Sequence, residues 1–153
     1  MKTISVVSRK ADAVWRGDVK RGTGLVSFQS DEMRQRRFSL SCRLDPKDRS
    51  EVNPEELIAA AAASCFSMAL SKTLGDRDQL PSELSVLARI DLAVEDEGPR
   101  LSKLTLECEG SVPKISQIEF EDAVQATRET CPVVRALEPG FEEIEVKAKL
   151  LSI

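Results

Sequence analysis

The chain has 153 residues, which is enough for one domain with a substantial hydrophobic core. Apolar residues make up 41 % of it and charged residues 31 %, and the formal net charge is −4. An acidic balance without a long run of Lys or Arg argues against a nucleic-acid partner. The composition therefore predicts a single-domain globular protein that binds no nucleic acid.

The longest apolar stretch, residues 57–70, predicts no membrane span. Ser64 and Ser67 interrupt it, and it is too short to cross a bilayer. The first residues, MKTISVVSRK, lack the apolar block and the cleavage site of a signal peptide. We therefore expect a cytoplasmic protein with no membrane partner.

The cysteines and the missing histidine limit the possible chemistry. Cys42, Cys65, Cys108 and Cys131 form no CxxC pair, and the chain contains no histidine. These features argue against zinc knuckles, most transition-metal sites and Cys–His catalysis. We expect no metal site, and any chemistry must use Cys, Asp, Glu, Lys, Arg or Ser.

The pattern in the first part of the chain predicts strands across residues 11–44. RGTG is a turn signal, and LVSFQS after it alternates between apolar and polar residues. FSLSCRL alternates in the same way, which predicts a strand with Cys42 in the core and Arg43 on the opposite face.

A long central helix is predicted over residues 54–74. Asn53 is a good N-cap, Pro54 fits the first helical position, and Glu56 falls where a capping-box partner belongs. Gly75 can end the helix in a left-handed conformation. Cys65 lies in the middle of this helix.

The remaining chain predicts two strands, two helices and a last strand. Strands are expected over residues 84–109, with a hairpin turn at EDEGPR and a slip in the alternation between Leu101 and Leu104 that indicates a bulge. Helices are expected over residues 117–137, first behind a Ser116 cap and then from Pro132. A strand over residues 142–152 closes an α+β domain with mostly antiparallel pairing.

Each cysteine has a predicted environment. Cys108 shares the phase of the leucines around it, so we expect it in the core. Cys131 precedes a predicted helix start, where the dipole lowers the pKa of a thiol. Cys65 lies among apolar residues and becomes reactive only if a cation reaches it. The first choice for that cation is Arg43, and the second is Arg49.

Glu55 is the carboxylate that would hold such an arginine. Ten residues separate it from Cys65, which on one continuous helix is about 15 Å along the axis and about 80° around it. One side chain does not bridge that distance. Either the helix begins later than predicted, or the Glu55 beside Cys65 belongs to another subunit.

Three segments resemble the osmotically inducible protein C family, in the OsmC branch of the OsmC/Ohr peroxidases. They are RKADAVWRGDVKRGTGLVS, NPEELIAAAAASCFSMALS and TCPVVRAL, and the resemblance runs from about Lys10 to Ile153. It implies an OsmC-like α+β fold with antiparallel sheets around the long helix. It also implies an intertwined homodimer with active sites at the interface, in which Glu55 and Cys65 can meet across subunits.

The resemblance further implies a cysteine-based peroxidase that reduces organic hydroperoxides without a cofactor. Cys65 matches the peroxidatic cysteine, Cys131 the resolving cysteine and Glu55 the glutamate of the helix motif, and Arg43 looks like the family arginine. An external thiol or dithiol would reduce the Cys65–Cys131 disulfide. The neighbours of Cys65 on the helix, Phe66 and Met68, would then form an apolar wall that favours alkyl or lipid hydroperoxides.

The sequence departs from the family pattern in the helix, in the loop before it and at one extra cysteine. Ala62 stands where the family helix usually has a histidine. The loop from Arg43 to Glu55 is about two residues longer than usual, which leaves Arg49 open as the activating cation. Cys42 beside Arg43 is an extra thiol and a candidate for an off-path disulfide. A non-enzymatic dimer that binds a hydrophobic or thiol ligand is the alternative function.

Overall fold

The computed structural model describes residues 5–30 and 32–151. The chain divides into two compact units, residues 1–54 and 55–153. That the two together make one domain stays a prediction. The element order mixes strands and helices with one long helix, which is the α+β class expected from the sequence.

The first unit contains a three-stranded antiparallel sheet. Its strands are β1 (Ala11–Arg16), β2 (Thr23–Phe28) and β3 (Arg36–Phe38), with β2 in the middle. The indole of Trp15 lies 5.6 Å from the ring of Phe38, which joins β1 to β3 across the face of the sheet.

The strand predicted across residues 38–44 is wrong for every residue after Phe38. β3 ends at Phe38, and a short helix, α1 (Leu40–Leu44), follows. Ser39 causes the change, because its hydroxyl accepts a hydrogen bond from the amide of Cys42 and caps the helix. Cys42 is buried as expected, but on a helix rather than by strand alternation.

The long helix α2 (Pro54–Gly75) begins where the sequence predicts. Four residues at helical spacing form its buried face: Ala62, Phe66, Leu70 and Leu74. The left-handed cap predicted at Gly75 is wrong, since the residue with positive φ after this helix is Asp78 (φ 57°). The amide of Gln79 donates to the carbonyl of Leu74 at 2.9 Å and closes the turn.

The second unit has a sheet in the order β4–β5–β6. The hairpin of β4 (Glu83–Glu95) and β5 (Gly98–Ser111) carries the predicted bulge, because the pairing shifts between Asp91 and Leu92 and leaves Ser102 as the extra residue. β6 (Glu143–Leu150) pairs in parallel with β5. The last residues of the strand predicted over 142–152 lie outside the described part of the chain.

Two helices connect β5 to β6 and allow this parallel pairing, since parallel strands need a crossover. They are α3 (Gln117–Thr130) and α4 (Pro132–Leu137), both as predicted. Ser116 caps α3 in a complete capping box with Glu119. A short 3₁₀ turn, Glu138–Gly140, leads into β6.

The core of the second unit lies where α2, α3, α4 and the sheet meet. Phe66 and Phe120 are its largest fully buried side chains, from α2 and α3. Leucines of β5 pack in the same cluster, and Cys108 lies among them, so its predicted core position is confirmed. One side of α2 is thereby fixed against the sheet and helices.

α2 is unusually long and apolar, with 22 residues and a mean hydropathy of 1.5 in its apolar window. Among the described helices, α2 is the one that is long and apolar enough to cross a bilayer by length and composition. The core helix of a water-soluble protein meets the same criterion. In the single chain only 22 % of the apolar window in α2 is buried, so much of its surface is open.

Candidate functional site

Cys65 lies on α2 beside the buried face of the helix, where it packs against the core cluster. The next residue, Phe66, is fully buried, while Cys65 is half-buried and lines an open cavity of about 750 Å³. The apolar part of the lining is contributed by Met68 and Ala69 of α2, Ala126 of α3 and Pro132 of α4. The apolar wall expected from Phe66 and Met68 is therefore half right: Met68 lines the cavity, and Phe66 packs in the core.

Cys131 lies between α3 and α4, at the helix start that the sequence predicts. Its amide donates to the carbonyl of Thr127 at 2.8 Å, and its carbonyl accepts from the amide of Arg135 at 3.0 Å. It thus ends one helix and caps the next. Its side chain is fully buried and belongs to the core cluster, against which Cys65 also packs.

The pKa of Cys131 is raised, whereas the sequence predicted that it would be lowered. Burial is the largest cause, because it disfavours the thiolate. The backbone amides of Val134 and Val133, at the start of α4, lower the pKa, but by less than burial raises it. The helix start acts on the pKa in the predicted direction, and desolvation of the buried thiol outweighs it.

The thiols of Cys65 and Cys131 are neighbours. The proximity of the Cys65 side chain is a further cause, smaller than burial, that raises the pKa of Cys131. Both cysteines are in the free thiol form. Sixty-six residues apart in sequence, they are brought together because α4 starts beside the middle of α2. Two adjacent thiols can form a disulfide on two-electron oxidation.

Glu55 lies in the first turn of α2 and is half-buried. It is at the N-terminal end of the same helix that carries Cys65. Because α2 runs without a break from Pro54, the idea that the helix begins later than predicted is wrong. The second alternative, that a Glu55 beside Cys65 comes from another subunit, stays a prediction.

Arg43, in the first unit, lies on α1 and is half-buried. It lines a cavity of about 420 Å³ together with Trp15, Phe38 and Leu40. Arg49, the second choice for the activating cation, is exposed in the loop after α1. The first unit therefore presents Arg43 beside aromatic side chains and Arg49 to solvent.

Cys42 holds the loop that follows α1. Its thiol donates to the backbone carbonyls of Glu51 (3.5 Å) and Asp48 (3.7 Å). The guanidinium of Arg37 lies 3.3 Å from the carboxylate of Glu51 and fastens the same loop to β3. The extra cysteine thus has a structural role in the longer loop.

Cys108 has the environment of an unreactive thiol. It is buried among the core leucines, and burial raises its pKa to about 12. Cys65 and Cys131 are therefore the two cysteines whose surroundings favour joint redox chemistry.

In the part of the chain that the structure describes, no three His, Cys, Asp or Glu side chains are placed to hold a metal ion.

Three charged residues at the far end of the cavity were not found by sequence reasoning. Lys72, Asp76 and Arg77 line it together with Cys65. The available signal was spacing, because Lys72 follows Cys65 by seven residues and so lies two turns further along the same side of α2.

The sequence matches known proteins over most of its length. The family model of the OsmC-like proteins matches residues 46–147. Peroxiredoxin OsmC of Escherichia coli (strain K12) is 37 % identical over 131 residues, which cover 86 % of this chain and 90 % of that protein. An organic hydroperoxide resistance protein-like relative from Staphylococcus aureus (strain USA300) is 34 % identical over 93 residues, 58 % of this chain and 64 % of that protein.

Solved structures show the same fold. An organic hydroperoxide resistance protein from Elizabethkingia anophelis superposes with a TM-score of 0.73 at 21 % identity, covering 99 % of this chain and 100 % of that one. An OsmC protein from Legionella pneumophila superposes with a TM-score of 0.69 at 21 % identity, covering 97 % and 99 %. The chain belongs to the OsmC-like protein family, and the names of its relatives support a peroxidase-type role in that family.

Proposed function

We propose that this protein is a thiol-dependent peroxidase that reduces organic hydroperoxides to alcohols. The observation that carries the proposal is the pair of neighbouring thiols, Cys65 at the wall of an open, largely apolar cavity and Cys131 behind it in the core. The peroxidase names of the relatives support the same reaction class.

Cys65 performs the first step. Its thiolate sulfur attacks the terminal oxygen of the hydroperoxide, the O–O bond breaks, and the alkoxide leaves and takes up a proton to become the alcohol. The sulfur loses two electrons and the peroxide gains them, so Cys65 becomes a sulfenic acid.

Cys131 performs the second step. Its sulfur attacks the sulfenic sulfur of Cys65, a disulfide forms, and the hydroxyl leaves as water with the proton from the Cys131 thiol. An external thiol or dithiol then reduces the disulfide and restores both cysteines. The raised pKa of Cys131 keeps it protonated until the sulfenic acid is formed beside it.

Arg43 and Glu55 complete the proposed machinery, on the strength of their positions in the family motifs. A guanidinium stabilises a thiolate and polarises a peroxide oxygen, and a carboxylate fixes a guanidinium in a bidentate pair. We assign the first role to Arg43 and the second to Glu55, with Arg49 as the alternative cation.

We further propose that the protein works as a homodimer in the cytoplasm. α2 is long and apolar, yet in the single chain only 22 % of its apolar window is fully buried, and Met68 is 68 % exposed. A second copy that covers part of this surface would remove it from water. Four cysteines in the free thiol form fit a reducing compartment.

The test is a count of free thiols after cumene hydroperoxide is added to the fully reduced protein. We expect rapid loss of two thiols per chain in the wild type and none in Cys65→Ser. In Cys131→Ser we expect a sulfenic or over-oxidised Cys65. Cys108→Ser is the matched control, because it removes a thiol from the core rather than from the cavity.

Two results would contradict the proposal. One is slow loss of thiols, and the other is loss spread evenly over all four cysteines in every variant. Either would mean that Cys65 is not activated. The non-enzymatic alternative, a dimer that binds a hydrophobic or thiol ligand in the same cavity, would then be preferred.

A further inference from the structure

The short helix α1 carries Arg43 and is anchored through Cys42. A helix of five residues is too short to be stable by itself, so its placement depends on the contacts of its side chains. Among the five described residues of α1, Cys42 is the buried one, at 3 % exposed. Arg43 follows it directly, about 100° further around the helix. The direction in which α1 presents Arg43 therefore depends on how Cys42 is held.

The thiol of Cys42 is held by the loop that follows α1. The thiol is a weak donor and is shared between the carbonyl of Glu51 at 3.5 Å and that of Asp48 at 3.7 Å. Hydrogen bonds from Ser50 lower the pKa of the Asp48 carboxyl, and the Cys42 thiol adds a smaller effect in the same direction. One buried sulfur thus contacts the loop at two backbone positions.

The ends of this loop are fixed by other contacts. The hydroxyl of Ser39 accepts from the amide of Cys42 at 3.3 Å and caps α1. The amide of Val52 donates to the carbonyl of Arg37 at 3.1 Å, which joins the far end of the loop to β3. Between these ends, residues 44–50 are all exposed. The thiol is therefore an interior contact for a stretch of chain that otherwise faces water.

Both arginines considered for the activation of Cys65 belong to the segment that the thiol holds. Arg43 is the neighbour of Cys42 on α1, and Arg49 lies in the loop between the two accepting carbonyls. A hydrogen bond fixes distance and direction, so loss of the donor lets α1 and the loop move against each other. The attraction between a guanidinium and a thiolate weakens with distance, so such a movement changes how far the thiolate is stabilised.

We propose that Cys42 is a positioning residue, whose thiol holds α1 and its loop so that Arg43 stays in the orientation that activates Cys65. In this role Cys42 touches neither the hydroperoxide nor the reacting sulfur and acts through Arg43. The role requires a hydrogen-bond donor at position 42 and no redox chemistry of that sulfur. This inference rests on the proposed peroxidase function and adds a residue to its machinery.

The test compares variants that keep or remove the donor. Cys42→Ser keeps an O–H group of similar size, whereas Cys42→Ala removes the donor. The reduced, full-length proteins are mixed with cumene hydroperoxide at a series of pH values from mildly acidic to alkaline. Samples are quenched by alkylation at timed intervals, and mass spectrometry of the Cys65 peptide gives the second-order rate constant for loss of its thiol.

The two variants should differ. At pH 7 we expect Cys42→Ala to react about two- to tenfold more slowly than the wild type, the range that one hydrogen bond spans. The midpoint of its pH profile should rise by up to about one pH unit, because a displaced guanidinium stabilises the thiolate less. Cys42→Ser should stay within about twofold of the wild-type rate constant, because its hydroxyl donates from the same position.

Cys108→Ala is the matched control, because it also truncates a buried cysteine, but in the core of the second unit. It should lower the melting temperature and leave the rate constant and the pH midpoint as in the wild type. Cys42→Val fills the space of the thiol without a donor. It should react as slowly as Cys42→Ala and gives the same test if Cys42→Ala does not fold.

A double-variant cycle shows which arginine transmits the effect. In an Arg43→Gln background, Cys42→Ala should slow the reaction no further, since residues that act together are not additive. In an Arg49→Gln background the full effect of Cys42→Ala should remain. An undiminished effect in the Arg43→Gln background would overturn the inference that Cys42 acts through Arg43.

The outcomes separate this inference from the proposed function. If the wild type reacts rapidly and Cys42→Ala matches it in rate constant and pH midpoint, the positioning role is wrong while the peroxidase stands. The same holds if Cys42→Ser is as slow as Cys42→Ala. If Cys65 in the wild type reacts no faster than free cysteine, the proposed function fails and this inference fails with it.

Discussion

The two faces of α2 have different environments. One face carries Phe66 and Leu70, which are fully buried in the core, and the other carries Cys65 and Met68, which line the open cavity. Phe66 is 0 % exposed and Met68, two residues on, is 68 % exposed. A single helix thus contributes to the core on one side and presents the Cys65 thiol to a cavity on the other, so substitutions on the two faces should have separable effects.

The same contrast distinguishes the cysteines. Cys108 is enclosed by core leucines, and the pKa of its thiol is raised to about 12. Cys65 has an open cavity on one side and a second thiol, Cys131, on the other. A buried cysteine behaves as a small apolar residue, whereas accessibility and a partner thiol permit redox chemistry.

The largest expected effect is on stability, from the core face of α2. Phe66→Ala should lower the free energy of unfolding by about 3–5 kcal/mol, because it removes a buried ring and leaves a cavity. Met68→Ala, a deletion on the other face, should cost clearly less, because Met68 lies outside the core of its own chain. Urea denaturation of both variants measures the difference, and equal losses would show that the two faces are not distinct.

The second-largest expected effect is on the rate at which Cys65 reacts with hydroperoxide, and it tests which arginine activates the thiol. An opposite charge shifts a pKa by about one to three units, so Arg43→Gln should slow the reaction with cumene hydroperoxide at pH 7 by about ten- to a hundredfold. Arg49→Gln, the matched control in the exposed loop, should change the rate less than about twofold. Stopped-flow measurement of thiol loss gives both rates, and the opposite order would assign the activating role to Arg49.

A smaller effect is expected for Cys108 at alkaline pH. In the unfolded chain its thiol ionises at its ordinary pKa, while in the folded protein the pKa is about 12, so the unfolded state loses its proton first. Stability therefore falls as the pH rises through the unfolded pKa, by about 1.4 kcal/mol for each pH unit up to 12.

Cys108→Ala should flatten that part of the stability profile relative to the wild type. Denaturation at pH 8, 9 and 10 gives the two slopes. Parallel slopes in the two proteins would mean that Cys108 ionises as easily in the folded state as in the unfolded one, and its assignment to a sealed core would be wrong.

Sequence reasoning performed well where local signals decide the structure. The Pro54 start of α2, the Ser116 capping box and the bulge at Ser102 were all foreseen from residue types and spacing. It failed at residues 40–44, because five residues of alternating pattern fit a short helix as well as a strand, and the Ser39 cap decides between them. The parallel pairing of β6 depends on the path of the chain and has no local signal.

The site was harder to predict from the sequence than the fold. Spacing alone does not bring Cys65 and Cys131 together, and the expectation that they act as a pair came from the family resemblance. The pKa of Cys131 was predicted in the wrong direction because burial is a tertiary property. Arg77 was missed because the cavity it lines exists only after α2 and α3 pack.

The pairing of Cys65 with Cys131 is the central claim, and the most direct measurement is to map the disulfide that the wild-type protein forms with one equivalent of hydroperoxide. Digestion without reduction, followed by mass spectrometry of the cross-linked peptides, identifies the bond. We predict one intramolecular Cys65–Cys131 disulfide, with Cys42 and Cys108 recovered as thiols. A disulfide that involves Cys42 or Cys108, or oxidised Cys65 with no disulfide, would contradict the account.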